Sequence, residues 1–165
     1  MKQTLIQQIE HCLTPLLKES RLGQERHAIQ HGDTTVLLHC LAVAYYSVKL
    51  AEALPLRYDR SSLIRGALLH DYFLYDWHVP DPSHRFHGLH HAKTALQNAQ
   101  RDFELTEKEQ DIILHHMFPL NPNPPRCREA FMVCVVDKGC GFYETLIRGT
   151  YPELRGILDR HRPES

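Results

Sequence analysis

Residues 63–74 read LIRGALLHDYFL, and the placement of His70 and Asp71 at the end of that run decides how the chain is read. Leu63, Ile64, Ala67 and Leu68 recur at the three- and four-residue spacing of one helix face. His70 continues the row Leu63, Ala67, and Asp71 continues Ile64, Ala67 and Leu68, so both ionisable groups point inward from a helix end. A buried charge is costly unless it is paired, neutralised or bound to a metal. The doublet therefore raises one question along the rest of the chain: which other polar residues lie on apolar faces.

The helical period runs almost throughout. A first helix is expected over about 4–17, and a long one from Asp33 as N-cap to Leu54, before Pro55. A third starts near Asp59 with Ser61 and Ser62 in its first turn. An irregular stretch, 77–88, holds Pro80, Pro82, His78, His84 and His87. A helix then covers about 92–101, and Thr106 with Glu109 forms a capping box opening a helix that ends at Pro119. NPNPP (121–125) breaks the chain before a strongly apolar helix over about 128–141, and one or two short helices follow, divided by Gly149 and Pro152. No alternating strand, internal repeat or low-complexity tract stands out. The expectation is an all-α bundle, one domain over residues 1–165.

Six polar residues fall on inward faces. His39 shares a stripe with Val36, Val43 and Tyr46, and Asp137 follows Ala130, Val133 and Cys134 on the most apolar helix. In the doublet His90-His91, His91 aligns with Ala95 and Ala99, whereas His90 aligns with Thr94, Gln97 and Arg101. In His115-His116, His116 extends Glu109, Ile112 and Ile113, whereas His115 extends Lys108 and Asp111. The inward set is thus His39, His70, Asp71, His91, His116 and Asp137, with His90 and His115 facing water. A single one of these would be read as a core histidine or a capping aspartate. Six together, from five helices, would each need a separate partner, and a pair of divalent ions satisfies all of them. Imidazole and carboxylate suit Fe, Mn, Zn, Co or Ni.

The totals limit the setting. At 165 residues the chain has the size of one domain, and a domain that long buries roughly 70% of its unfolded surface. The chain is 42% hydrophobic and 24% charged, with net charge -1 and no basic run, which argues against a nucleic-acid polymer as partner. No apolar leader or membrane-length run is present, and five cysteines without a C-x-x-C pair fit reduced thiols. A cytoplasmic protein, not bound to a membrane, is expected.

The ordered set resembles the HD-domain superfamily of metal-dependent phosphohydrolases. It is carried by His39 in LLHCLAVA, His70-Asp71 in GALLHDYF, His91 in HGLHHAKTAL, His116 in IILHHMFPL and Asp137 in CVVDKGC, over residues 31–140. The resemblance implies one metal held by His39, His70, Asp71 and Asp137, and a second held by His91 and His116 with Asp71 bridging. Relatives lacking the two middle histidines hold one ion, so their presence here implies a dinuclear centre with a bridging hydroxide. Asp71, His91 and His116 form the candidate catalytic set. The implied substrate is a small phosphorylated molecule, a nucleotide among the candidates. Two departures bear on it: Leu74 stands where many relatives carry a phosphate-binding lysine, and the Gly-Tyr-Pro signature of the cyclic dinucleotide phosphodiesterase branch is absent. Cations and donors for the rim are His31, Arg85, His87, Lys93 and Lys138, with Arg65 and His84 as further candidates. His31, Thr35 and His39 at i, i+4 and i+8 would line one helix face. The alternatives are an HD-fold diiron oxygenase resembling inositol oxygenase and a nucleotide-binding sensor without turnover.

Overall fold

The computed structural model describes residues 3–75, 87–147 and 151–161, the side chains of 87–89 excepted. Seven α-helices are present among them: α1 (Leu5–Glu19), α2 (Val36–Ala53), α3 (Arg60–Leu69), α4 (His87–Asp102), α5 (Glu107–His115), α6 (Arg128–Phe142) and α7 (Pro152–Arg160). The fold is all-α, as expected. A 3-10 turn, Leu22–Arg26, follows α1, and a π-helical turn, Tyr143–Ile147, follows α6.

The helix starts are set by local chemistry. Thr4 and Gln7 form a capping box on α1, and Thr106 and Glu109 form the expected one on α5, each pair satisfying two backbone N–H groups. The Asp59 carboxylate accepts from the Ser62 N–H at 3.1 Å and caps α3. Asp33 does not cap α2. Thr35 does, its Oγ1 accepting from Leu38 N–H at 3.3 Å, because residues 29–35 form a short antiparallel ladder instead of helix. β1 (Ile29–His31) and β2 (Thr34–Thr35) turn at Gly32, whose φ of 56° suits a residue without Cβ. A Cβ there would also sit 2.9 Å from the Glu144 carbonyl oxygen, so the turn rests directly on the segment after α6.

α2 is buried round most of its circumference and packs against α3 and α6, while α3 and α6 pack on α5 and α5 packs on α4. By length and composition α2 alone among the described helices could cross a membrane, but 67% of it is buried inside the molecule, as in a core helix. Gly66 brings α3 and α5 close together. A Cβ there would collide with Ile112, lying 3.1 Å from its Cβ and Cγ2. Four residues on, the same helix delivers His70 and Asp71 beside the end of α5.

α5 stops at His115, four residues short of the expected end, and residues 116–120 turn. α4 begins at His87, five residues earlier than expected. His78, His84 and Arg85 lie outside the described residues, and so does the side chain of His87.

Candidate metal centre

The six inward residues converge. His39 leaves α2, His70 caps the C-terminus of α3 with Asp71 next to it, His91 leaves α4, His116 caps the C-terminus of α5, and Asp137 leaves α6. Donor atoms of His39, His70 and Asp71, of His70, His116 and Asp137, and of Asp71, His91 and His116 form three groups, each within 4.8 Å. All are buried except Asp137, whose side chain is 13% exposed.

Outer hydrogen bonds aim the rings. His70 Nδ1 lies 2.7 Å from the Ala67 carbonyl, and His116 Nδ1 lies 2.8 Å from that of Ile113. A carbonyl only accepts, so each Nδ1 carries the proton and each Nε2 turns to the common centre. His39 Nδ1 donates to Glu144, 3.0 Å from either carboxylate oxygen, and Tyr151 OH donates to the same carboxylate at 2.9 Å. Such partners on the far side of the ring are what metal-ligating histidines ordinarily have.

Asp71 divides the cluster in two. Its Oδ1 lies 3.3 Å from His91 Nε2 and 3.4 Å from His116 Nε2, and those two nitrogens are 3.0 Å apart. Its Oδ2 lies 3.4 Å from His70 Nε2 and 3.8 Å from His39 Nε2, and accepts from Gln30 Nε2 at 2.6 Å. Asp137 Oδ1 sits 3.0 Å from His39 Nε2 and 3.5 Å from His70 Nε2. Despite these close approaches, Asp71 Oδ1 and His70 Nε2 are aligned for no hydrogen bond, and both are buried. Buried polar atoms in proteins almost always have partners. Two orphans aimed into one nest of His and Asp donors fit a cation.

The charges point the same way. Burial opposes charge on His39, but hydrogen bonds to Asp137 and Glu144 raise its pKa to about 9. Burial likewise opposes charge on His70, and the Asp71 carboxylate raises it well above its ordinary value. Asp71 is held well below the usual carboxylate range, its burial outweighed by His70 and the imidazoles of His116 and His91. Protons thus balance the carboxylates where a metal would otherwise do so, and binding one would release them.

Sequence periodicity missed part of this site. His115 is buried, not solvated: its Nδ1 lies 2.6 Å from Asp111 Oδ1, outside the cluster. Glu144 went unnoticed although it follows Asp137 by seven residues on the same face, a signal that was available. Gln30, on the short strand β1, and the fully buried Glu25, in the 3-10 turn, lie outside the α-helices and gave none. Burial and then the Asp71 charge hold the Glu25 carboxyl well above its ordinary value, against the opposing His70 charge and Leu74 N–H.

The rim candidates divide. His31 lies on β1, so the expected helix face through Thr35 does not exist. Its ring nevertheless sits 5.8 Å from that of His39, and it borders the cleft above Asp137. Lys138 borders the same cleft. Arg65 lies 3.5 Å from Glu109 on the other side of α3, and Lys93 is exposed on α4 without bordering the cleft.

The model of the HD domain matches residues 36–139, well over half of the chain, and the protein belongs to that family. HD domains typically occur in metal-dependent hydrolases. Comparison with curated proteins and with solved structures returned no match.

Proposed function

We propose that the protein is a phosphohydrolase acting on a small phosphate ester in the cytoplasm, with two divalent ions held by His39, His70, Asp71, His91, His116 and Asp137. The observation that carries this reading is Asp71, whose two oxygens face two different sets of imidazoles 3.3–3.8 Å away. His39, His70 and Asp137 would complete one subsite, and His91 and His116 the other. Such ions lower the pKa of bound water and neutralise charge on a phosphoryl group. The chain supplies the rest. Ala67, Ile113 and Glu144 hold three rings in orientation, Gln30 fixes the Asp71 carboxylate, and close burial keeps bulk water from all donors but Asp137.

The test is phosphate release from a panel of monoesters and diesters with manganese, cobalt, nickel or zinc added. Release that ceases with a chelator and returns with the ion is expected. Metal uptake without release from any ester would overturn the reading. One observation favours a diiron oxygenase instead: Leu74 packs against the core where a phosphate-binding lysine would stand. Iron in the purified protein together with substrate-dependent oxygen uptake would select that chemistry.

A further inference from the structure

Asp137, the cluster member most open to solvent, borders a cleft of about 800 Å³. That is the size of a small-molecule site. One wall is Met117, Pro119 and Leu120, from the turn after α5; the other is Phe142, at the end of α6, and Leu146, in the π-helical turn. Leu120 is 53% exposed, Phe142 63% and Leu146 65%, so three large apolar side chains stand in water round one concavity. A grouped exposed apolar surface marks a binding site more often than it marks chance.

The polar groups of the cleft offer little to a polyanion. Lys138 Nζ donates to the His116 carbonyl at 2.8 Å, the Cys134 carbonyl at 3.2 Å and Cys134 Sγ at 3.3 Å. An ammonium has three protons, so those of Lys138 are committed to the backbone and a thiol. Among the described residues, no arginine borders the cleft.

We infer that this cleft receives the apolar body of the substrate, with a single oxyanion head at the His/Asp cluster. The substrate class is a monoester of an apolar alcohol or phenol, not a nucleoside polyphosphate. This rests on the reading of the cluster as the head-group site. A second copy of the chain could also cover exposed apolar residues, but the cleft is concave and borders the cluster's most exposed ligand candidate, which favours a small molecule.

The experiment is calorimetric titration of the full chain, with manganese present, by n-alkyl phosphonates from methyl to octyl, beside adenosine monophosphate and pyrophosphate. Affinity should rise about fourfold per methylene over the first several carbons. Octyl phosphonate should bind more tightly than either polar ligand. Phe142→Ser and Leu146→Ser, both at exposed positions, should reduce the rise to about twofold per methylene while leaving methyl phosphonate affinity and metal uptake unchanged. A flat series, no binding at all, or tighter binding of adenosine monophosphate overturns the inference. So does a flat series in a protein that sediments as a dimer and becomes monomeric in Phe142→Ser, which would assign these side chains to a subunit contact. Chain-length dependence without turnover of any ester would remove the hydrolase reading and leave this one standing. Hydrolysis with a flat series would do the reverse.

Discussion

His115 and His116 are neighbours in the chain, both buried, and they end in opposite circumstances. His115 belongs to a closed network. Its Nδ1 meets Asp111 Oδ1 at 2.6 Å, and Asp111 Oδ2 accepts the N–H groups of Arg126 at 2.9 Å and Cys127 at 2.8 Å. Cys127 is the N-cap of α6, so this network ties one helix to the start of the next. His116 faces the other way, toward Asp71 and His91, in a cluster where Asp71 Oδ1 and His70 Nε2 are buried without hydrogen-bond partners. Burial of a histidine therefore does not identify a ligand. What identifies it is whether the protein itself closes the hydrogen bonds.

The largest expected effect tests the closed side. Asp111→Ala leaves two backbone N–H groups and the His115 ring without their acceptor, a loss of about 3 kcal/mol. That lowers Tm by roughly 6–12 °C for a domain of this size. Metal uptake should be retained, and loss of uptake in the same variant would break the separation of the two regions. The pH dependence follows from the same carboxylate. Burial raises its pKa, but the donors of His115 and Cys127 outweigh this and hold it below its ordinary value. Its contribution is therefore present above about pH 4 and lost as pH falls further. Asp111→Asn should flatten that part of the stability profile measured by thermal melting.

The open side should respond to metal instead. A divalent ion at a hundredfold its Kd should stabilise the protein by about 2.7 kcal/mol, or roughly 5–10 °C in a thermal scan. The rise should persist in His115→Ala and shrink in His116→Ala. Equal behaviour of the two variants would erase the distinction between the neighbours.

A smaller effect is expected one bond further out. Glu144→Gln keeps an acceptor for His39 Nδ1 but removes the charge that orients and polarises the ring. Metal affinity, read by competition with a chromogenic chelator, should fall about 10- to 100-fold. Unchanged affinity would reduce Glu144 to a core partner.

These contrasts also explain what could be read from the amino acids alone. His39, His91 and Asp137 lie on regular helices, and His70, Asp71 and His116 lie at helix ends, so apolar neighbours three, four and seven residues away set their direction. His115 could not be placed that way. Its helical phase points with Lys108 and Asp111, and only the tertiary approach of residues 126–127 turns that polar face into interior. Asp33 was misplaced as a cap because the short ladder at 29–35 is held by the Gly32 turn and by contact with Glu144, neither of which leaves a periodic trace. Gln30 enters from β1 of that ladder, and Glu25 from the 3-10 turn before it. Regular structure announces its buried face, whereas irregular structure is oriented by contacts distant in sequence.

Asp71 Oδ1 and His70 Nε2, buried without hydrogen-bond partners, should belong to a metal site, and metal content is the decisive measurement. The full chain, purified without chelator, should be compared with Asp71→Ala by elemental analysis, with a circular dichroism check that the variant is folded. About two equivalents of a transition metal are expected in the wild type, with loss of most of it in the folded variant. A wild type that holds no metal and takes up none when ions are added would contradict the metal site.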